Sequence, residues 1–510
     1  MKRVKLGATR LWAPLLVAVT TPLLSAGGPT VGWEASLDIA GQSDGGLIAV
    51  ADGAGGVFTI GATPLFAGGE DMVIIKYDAD GAEQWMTTYA GAFAGGYDYP
   101  EDGLVDAAGD LYITGQTGVD DVSRGQEWVT LKLSGVDGAL LWERRFHGTG
   151  TFGGATARDM AMGPSGEIVV TGWARDDATW LDFGVVKYAP DGTELWARLF
   201  SSPGFRADSA EAVAVGPDGA VAVVGKYALS DQYIIGVVMY DADGALQWSR
   251  TYDASSFFDL EDRVRSVAID GDGNVYVGAD GIDSDVEGRD FVLLKYAADG
   301  TLLWDRRFTG TSSDLVPTVL LGPEGNIYLS GSSDGGHRLL AYDAAGNQLW
   351  TRWRSGSISS DATRDHAVLD AHGHVAVLLR TLFTPGITAF TIVRYAADGA
   401  LVDETTIDPL GLTRLPNGLA AGPLGDLFAT GYWLPDGSRD ILTYQVAFGA
   451  PGRPGDLDGD GDVDLTDLSL LLAAFGSCSG DPTYNADADL DGSGCVELVD
   501  LSSLLASFGT

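Results

Sequence analysis

The residues best placed to do chemistry lie near the C-terminus. Asp456-Leu-Asp-Gly-Asp-Gly-Asp-Val-Asp-Leu-Thr-Asp467 sets oxygen donors at loop positions 1, 3, 5, 9 and 12, and Asp489-Leu-Asp-Gly-Ser-Gly-Cys-Val-Glu-Leu-Val-Asp500 repeats the pattern further along the chain. A backbone carbonyl at position 7 completes a cage for a hard cation, and glycine at position 6 allows the sharp turn around it. The expected ligands in the first loop are Asp456, Asp458, Asp460, Asp464 and Asp467 with the carbonyl of Asp462. In the second they are Asp489, Asp491, Ser493, Glu497 and Asp500 with the carbonyl of Cys495. From Pro454 to Thr510 there are twelve acids and no Lys, Arg or His, so nothing internal offsets their mutual repulsion. Two Ca2+ ions are therefore expected, and folding of the segment should depend on them.

Each loop runs into one apolar stretch, Leu468 to Phe475 and Leu501 to Phe508, which reads as a single helix with none evident before the loop. Position 12 is Asp, where an ordinary EF-hand has Glu. The pair resembles a type I dockerin, a calcium-binding module that docks onto a cohesin domain. That resemblance covers the segment from Asp456 to Thr510 and implies a cohesin-type partner. It also implies that Leu465, Thr466, Leu498 and Val499, at loop positions 10 and 11, begin the partner-facing helices.

Elsewhere the candidates for chemistry are sparse. His147 and His337 are isolated; His372 and His374 have the spacing of a metal pair but fall in a repeated turn, so turn residues are expected; His366 breaks the local pattern. Aspartates stand eleven residues before a turn glycine at Asp44, Asp98, Asp208, Asp262 and Asp314, a regularity that suits turn capping better than catalysis. Tryptophans recur in one slot at Trp33, Trp85, Trp142, Trp196, Trp248, Trp304 and Trp350, which argues packing. Trp173, Trp180 and Trp433 fall outside that slot in or beside variable loops, where internal packing is the plainer expectation and a flat apolar face could instead stack on a sugar ring.

What positions these residues is a repeat. Ile74-Ile-Lys-Tyr-Asp-Ala-Asp-Gly-Ala-Glu-Gln-Trp85 recurs as Val185 to Trp196, Val237 to Trp248 and Leu293 to Trp304, with weaker copies ending at Trp142 and Trp350; in the copy from Ile392 the tryptophan slot holds Asp403. Each is a strand, a glycine turn and a second strand. A second strand pair lies between successive copies, giving four short strands per unit at the period of a β-propeller blade. Second strands ending near Gly61, Gly115, Gly172, Gly225, Gly278, Gly331, Leu379 and Gly431 count eight units. The last unit, Ile441 to Ala447, has no tryptophan strand after it, while an orphan tryptophan strand at Trp33 opens the array, so that strand is expected to close the ring. The units resemble SBBP-type and delta-sixty-type bacterial propeller repeats over roughly residues 30–449, a likeness informative about architecture.

The chain of 510 residues carries 71 acids against 31 bases, a formal charge of −40, which argues against nucleic acid and anionic membrane surfaces as partners. A basic start, an apolar run from Leu11 to Leu24 and small residues to Ala26 read as a secretory signal peptide, too short to span a bilayer. In an exported protein the only two cysteines, Cys478 and Cys495, suggest a disulfide, with a buried free pair as the alternative. The expected order is a signal peptide at 1–26, an all-β eight-bladed propeller at 27–449, a linker at 450–455 and a small α-helical dockerin-like domain at 456–510. An extracellular or cell-surface binding and scaffold protein is the expected function. The alternative is a carbohydrate-active enzyme, a polysaccharide hydrolase or lyase, with its site on the propeller; no catalytic residues can be assigned.

Overall fold

The computed structural model describes residues 30–447 except 40–43, 64–68, 94–95, 120–124, 150–153, 204–205, 230–231, 255–262, 283–287, 312–313, 358–365, 385–386, 408–412, 424 and 435–438; beyond these it describes 463, 465–478, 485, 488, 490, 493, 495–506 and 508. Eight antiparallel sheets of four strands follow one another, the first made of Gly45–Ala51, Val57–Thr63, Asp71–Tyr77 and Glu83–Tyr89. The third carries an extra short strand, Arg206–Ala207, beside Trp180–Tyr188. First strands of successive sheets touch in an unbroken cycle that returns from Thr413–Ala421 to Gly45–Ala51. The sheets are therefore the blades of a closed eight-bladed propeller with the first strands on its axis.

Closure is made by the strand expected to make it. Blade eight is Thr413–Ala421, Leu427–Leu434 and Asp440–Ala447 with Thr30–Leu37 as its outer strand; Trp33 stands opposite Gln445 and Glu34 opposite Tyr444. Trp33, Ala35 and Leu37 are buried in the contact with blade one. Eight apolar clusters fill the propeller, one at each blade-to-blade contact.

Two glycine slots have distinct causes. A bulge in the first strand swings a carbonyl across the second, so a Cβ on Gly115, Gly172, Gly225 or Gly431 would lie 2.1 Å from a backbone oxygen. The hairpin glycine needs positive φ and also receives the tryptophan of the preceding blade: at Gly244, with φ +78°, a Cβ would sit 2.6 Å from the Trp196 ring.

The repeated tryptophans thus act between blades. Each indole N–H donates to a carbonyl in the next blade's hairpin turn: Trp33 to Ala79 at 3.0 Å, Trp196 to Ala242 at 3.0 Å, Trp248 to Ala298 at 2.8 Å and Trp350 to Ala397 at 2.8 Å, with Trp85, Trp142 and Trp304 alike. In five blades an arginine two residues on, such as Arg198, stacks on the indole and donates to the glycine carbonyl of the same turn. Blade seven breaks the rule for a topological reason. Its neighbour, blade eight, takes its outer strand from the N-terminal end, so no hairpin turn joins its third and fourth strands to accept an indole. The slot holds Asp403, which instead pairs with buried Arg394 of its own blade.

The C-terminal segment contributes two short helices, α1 (Leu465–Ala474) and α2 (Leu498–Ala506). No helix among the described residues is long and apolar enough to cross a membrane.

Candidate functional site

The C-terminal module is built as two matching halves. Val463 and Val496, Leu471 and Leu504, and Leu468 and Leu501 pair across its small core, at the same sequence offset as the two loops. Gly476 N–H donates to the Val496 carbonyl and Val496 N–H to that of Ser477, beside the Cys478–Cys495 disulfide with S–S 2.08 Å. Closing so short a loop is worth on the order of 3 kcal/mol in the chain-entropy picture.

Of the expected calcium ligands, Asp456, Asp458, Asp460, Asp462, Asp464, Asp489 and Asp491 lie outside the described residues. Of the others, Ser493 and Glu497 are exposed. Asp467 and Asp500, at position 12 of each loop, are 0% exposed in a segment with no basic residue, and buried carboxylates need a compensating positive charge. Asp500 also accepts the Glu497 N–H at 2.7 Å, so it caps α2 from the helix's own third position. The Ser493 hydroxyl donates to the Cys495 carbonyl at 3.1 Å, which holds the oxygens of loop positions 5 and 7 side by side.

On the outside of α1 and α2 the halves repeat an apolar set. Leu465, Leu472 and Phe475 are exposed, and so are their counterparts Leu498, Leu505 and Phe508, again at the loop offset; Leu465 and Leu498 are each 72% exposed. Thr466 and Val499 stand beside them, also exposed.

On the propeller the three singled-out tryptophans part ways. Trp180 is 40% exposed at φ +91°, an unusual conformation for a bulky residue, with the Arg175 guanidinium 4.7 Å from its ring. Trp173 is partly buried and its carbonyl accepts the Trp128 indole N–H; Trp433 packs against the cluster between blades seven and eight. The recurring aspartates anchor the crossovers. Asp98 accepts Gly91 N–H and the Thr117 hydroxyl at 2.6 Å each, and Asp208 accepts Ser202 N–H and Ala228 N–H at 2.6 and 2.7 Å. Asp44 and Asp314 hold Ile39 and Gly310 N–H groups in the same way, and Asp262 lies outside the described residues. Burial pushes Asp314 up to about 6, and burial with the nearby Asp98 charge pushes Asp71 up to about 6.

Two histidine groupings emerge, one with no signature in spacing and one that adds Asp370 to the pair His372 and His374. Ser330 Oγ sits between His337 Nε2 at 2.9 Å and His366 Nε2 at 3.4 Å, sealed between blades six and seven. Burial holds His337 down to about 3 and His366 to about 4, so both imidazoles are neutral. In blade seven's first turn, Asp370, His372 and His374 come together with their ligand atoms all within 4.8 Å of one another. The Asp370 carboxylate is buried, but its hydrogen bonds, led by those from His374, hold it below the usual carboxylate range.

No protein-family model matches the chain, and no curated protein matches it. Among solved structures it is similar to a europium-containing methanol dehydrogenase (10% identity, 86% of this chain and 93% of that one, TM-score 0.48). It is also similar to the quinohemoprotein alcohol dehydrogenase of Comamonas testosteroni (11%, 82% and 79%, TM-score 0.41). A third is an ulvan lyase of polysaccharide lyase family PL25 (11%, 72% and 94%, TM-score 0.40). At these scores the likenesses carry nothing about chemistry.

Proposed function

We propose that this is an exported binding and scaffold protein, in which the propeller is a rigid recognition body and residues 456–510 form a dockerin-like module ordered by two Ca2+ ions and docked on a cohesin-type partner. The observation that carries the reading is the duplicated exposed apolar set on α1 and α2, the helices whose first turns hold the two buried position-12 aspartates. Calcium bound at the loops supplies the positive charge that lets Asp467 and Asp500 stay buried, and their burial fixes the start of each helix. Leu465, Thr466, Leu498 and Val499 are then held where a partner can cover them. A pull-down against a panel of cohesin domains tests this: capture in Ca2+ that is lost in chelator and in a Leu465→Asp/Leu498→Asp variant is expected. Equal retention of that variant would refute it.

A carbohydrate ligand for the propeller is favoured at one place, Trp180, whose ring is presented to solvent and stiffened by Arg175. Affinity electrophoresis on a range of polysaccharides should show retardation that Trp180→Ala removes.

A further inference from the structure

The eight turns between first and second strands are variations on one design, which makes the turn of blade seven conspicuous. Flanking the turn glycine, the other blades carry Ala54 and Gly56, Ala108 and Asp110, Ser165 and Glu167, Asp218 and Ala220, Asp272 and Asn274, Glu324 and Asn326, and Leu424 and Asp426; blade seven alone has imidazoles on both sides, His372 and His374.

Blade five shows what the second of these slots does for structure alone. Asn274 Nδ2 donates to Asp270 Oδ2 at 2.8 Å and tightens the turn. His374 Nδ1 makes the equivalent bond to Asp370 Oδ2 at 3.0 Å, but imidazole has a second nitrogen that this bond leaves over. Asp370 is well suited to hold the ring still. Its side chain is 0% exposed, Oδ1 accepts the N–H groups of His372 and His374 at 2.9 Å each, and Oδ2 also accepts Arg394 Nη1 at 2.9 Å. With its lone pairs engaged, the carboxylate acts as orienter. It fixes the proton on His374 Nδ1 and turns the Nε2 lone pair away, the arrangement found behind metal-bound histidines. The His372 ring stacks on His374 with centroids 5.8 Å apart at 30°, His372 is exposed, and a ligand nitrogen of each imidazole lies within 4.8 Å of one on the other.

We propose that this turn binds a borderline divalent transition ion of the Zn2+, Ni2+ and Cu2+ class through His374 Nε2 and a nitrogen of His372, with Asp370 as the positioning carboxylate and water in the open positions. Two imidazoles select this class over Ca2+ and Mg2+, which take oxygen ligands. The site lies in blade seven, far in sequence from the acidic loops at the C-terminus, and it does not depend on the docking function.

The full chain saturated with Ca2+, which occupies those loops, is titrated with Zn2+ by calorimetry and with one equivalent of Cu2+ for electron paramagnetic resonance. One tight ion per chain with imidazole-nitrogen hyperfine structure is expected. His374→Asn, which copies blade five and keeps the bond to Asp370, should weaken binding more than tenfold with an unchanged melting temperature, and His372→Ala should do the same. Oxygen-only coordination of Cu2+, or wild-type affinity in both variants, would overturn the proposal.

Discussion

The propeller and the C-terminal module solve the same problem, how a very acidic chain holds itself together, by opposite means. In the propeller each interface has its own apolar cluster and nearly every one a tryptophan strap, and acids that must be buried are placed where backbone N–H groups meet them. In the module the core is a few aliphatic side chains and the buried acids have no basic residue within residues 454–510. On the proposed reading, the propeller meets its buried acids with backbone N–H groups of its own, whereas the short segment with twelve acids takes its compensation from Ca2+ in solution. The propeller should therefore ignore chelators, and the module should not.

That contrast can be broken most severely at the seam. Deleting residues 30–37 removes the outer strand of blade eight together with buried Trp33 and Leu37, a loss on the order of 5 kcal/mol or more, and bares the Asp440–Ala447 edge. Denaturant unfolding and light scattering should show an unstable, self-associating propeller; an unchanged midpoint would mean that the ring does not depend on this strand.

A strap inside the ring is next. Trp248→Ala empties a site 7% exposed and strands the turn carbonyl of Ala298, for about 3–5 kcal/mol in urea denaturation.

Acid probes the buried imidazoles. Their folded pKa values, about 3 and about 4, lie below the ordinary 6.5, so the unfolded chain binds more protons as pH falls below 6.5 and stability declines until the folded values are reached. By pH 5 each imidazole should have cost about 2 kcal/mol. Asp314 and Asp71, raised to about 6, run the other way: stability they contribute below pH 4 is lost as pH rises to 6. Melting from pH 8 to 5 should thus show a steeper decline in the wild type than in His337→Gln, which cannot take up that proton.

The smallest effect is expected from Arg198→Ala. It loses part-exposed hydrogen bonds to the Gly244, Ala197 and Asp243 carbonyls and a cation–π contact on Trp196, about 1 kcal/mol by the same unfolding assay.

Eight units, their strand order and the closing role of Trp33 were legible because each rests on local signals, turn glycines and alternating strands, that recur at a fixed period. The partners of the tryptophans were not, since an indole that reaches Ala242 from Trp196 crosses 46 residues and depends on how blades stack. Trp-x-Arg at Trp142-Glu-Arg144, Trp196-Ala-Arg198, Trp248-Ser-Arg250, Trp304-Asp-Arg306 and Trp350-Thr-Arg352 was the available signal for the accompanying arginines. Asp403 is explained only once topology shows that blade eight lacks a receiving turn. The Ser330, His337 and His366 contact joins two blades and has no signature in spacing.

Hydrogen exchange of the full chain with and without chelator probes the contrast between the two regions most directly. Amides of α1 and α2 should lose protection when Ca2+ is removed, while Thr30–Leu37 and Asp440–Ala447 keep theirs. Helices that stay protected without calcium, or a propeller that opens along with them, would contradict it.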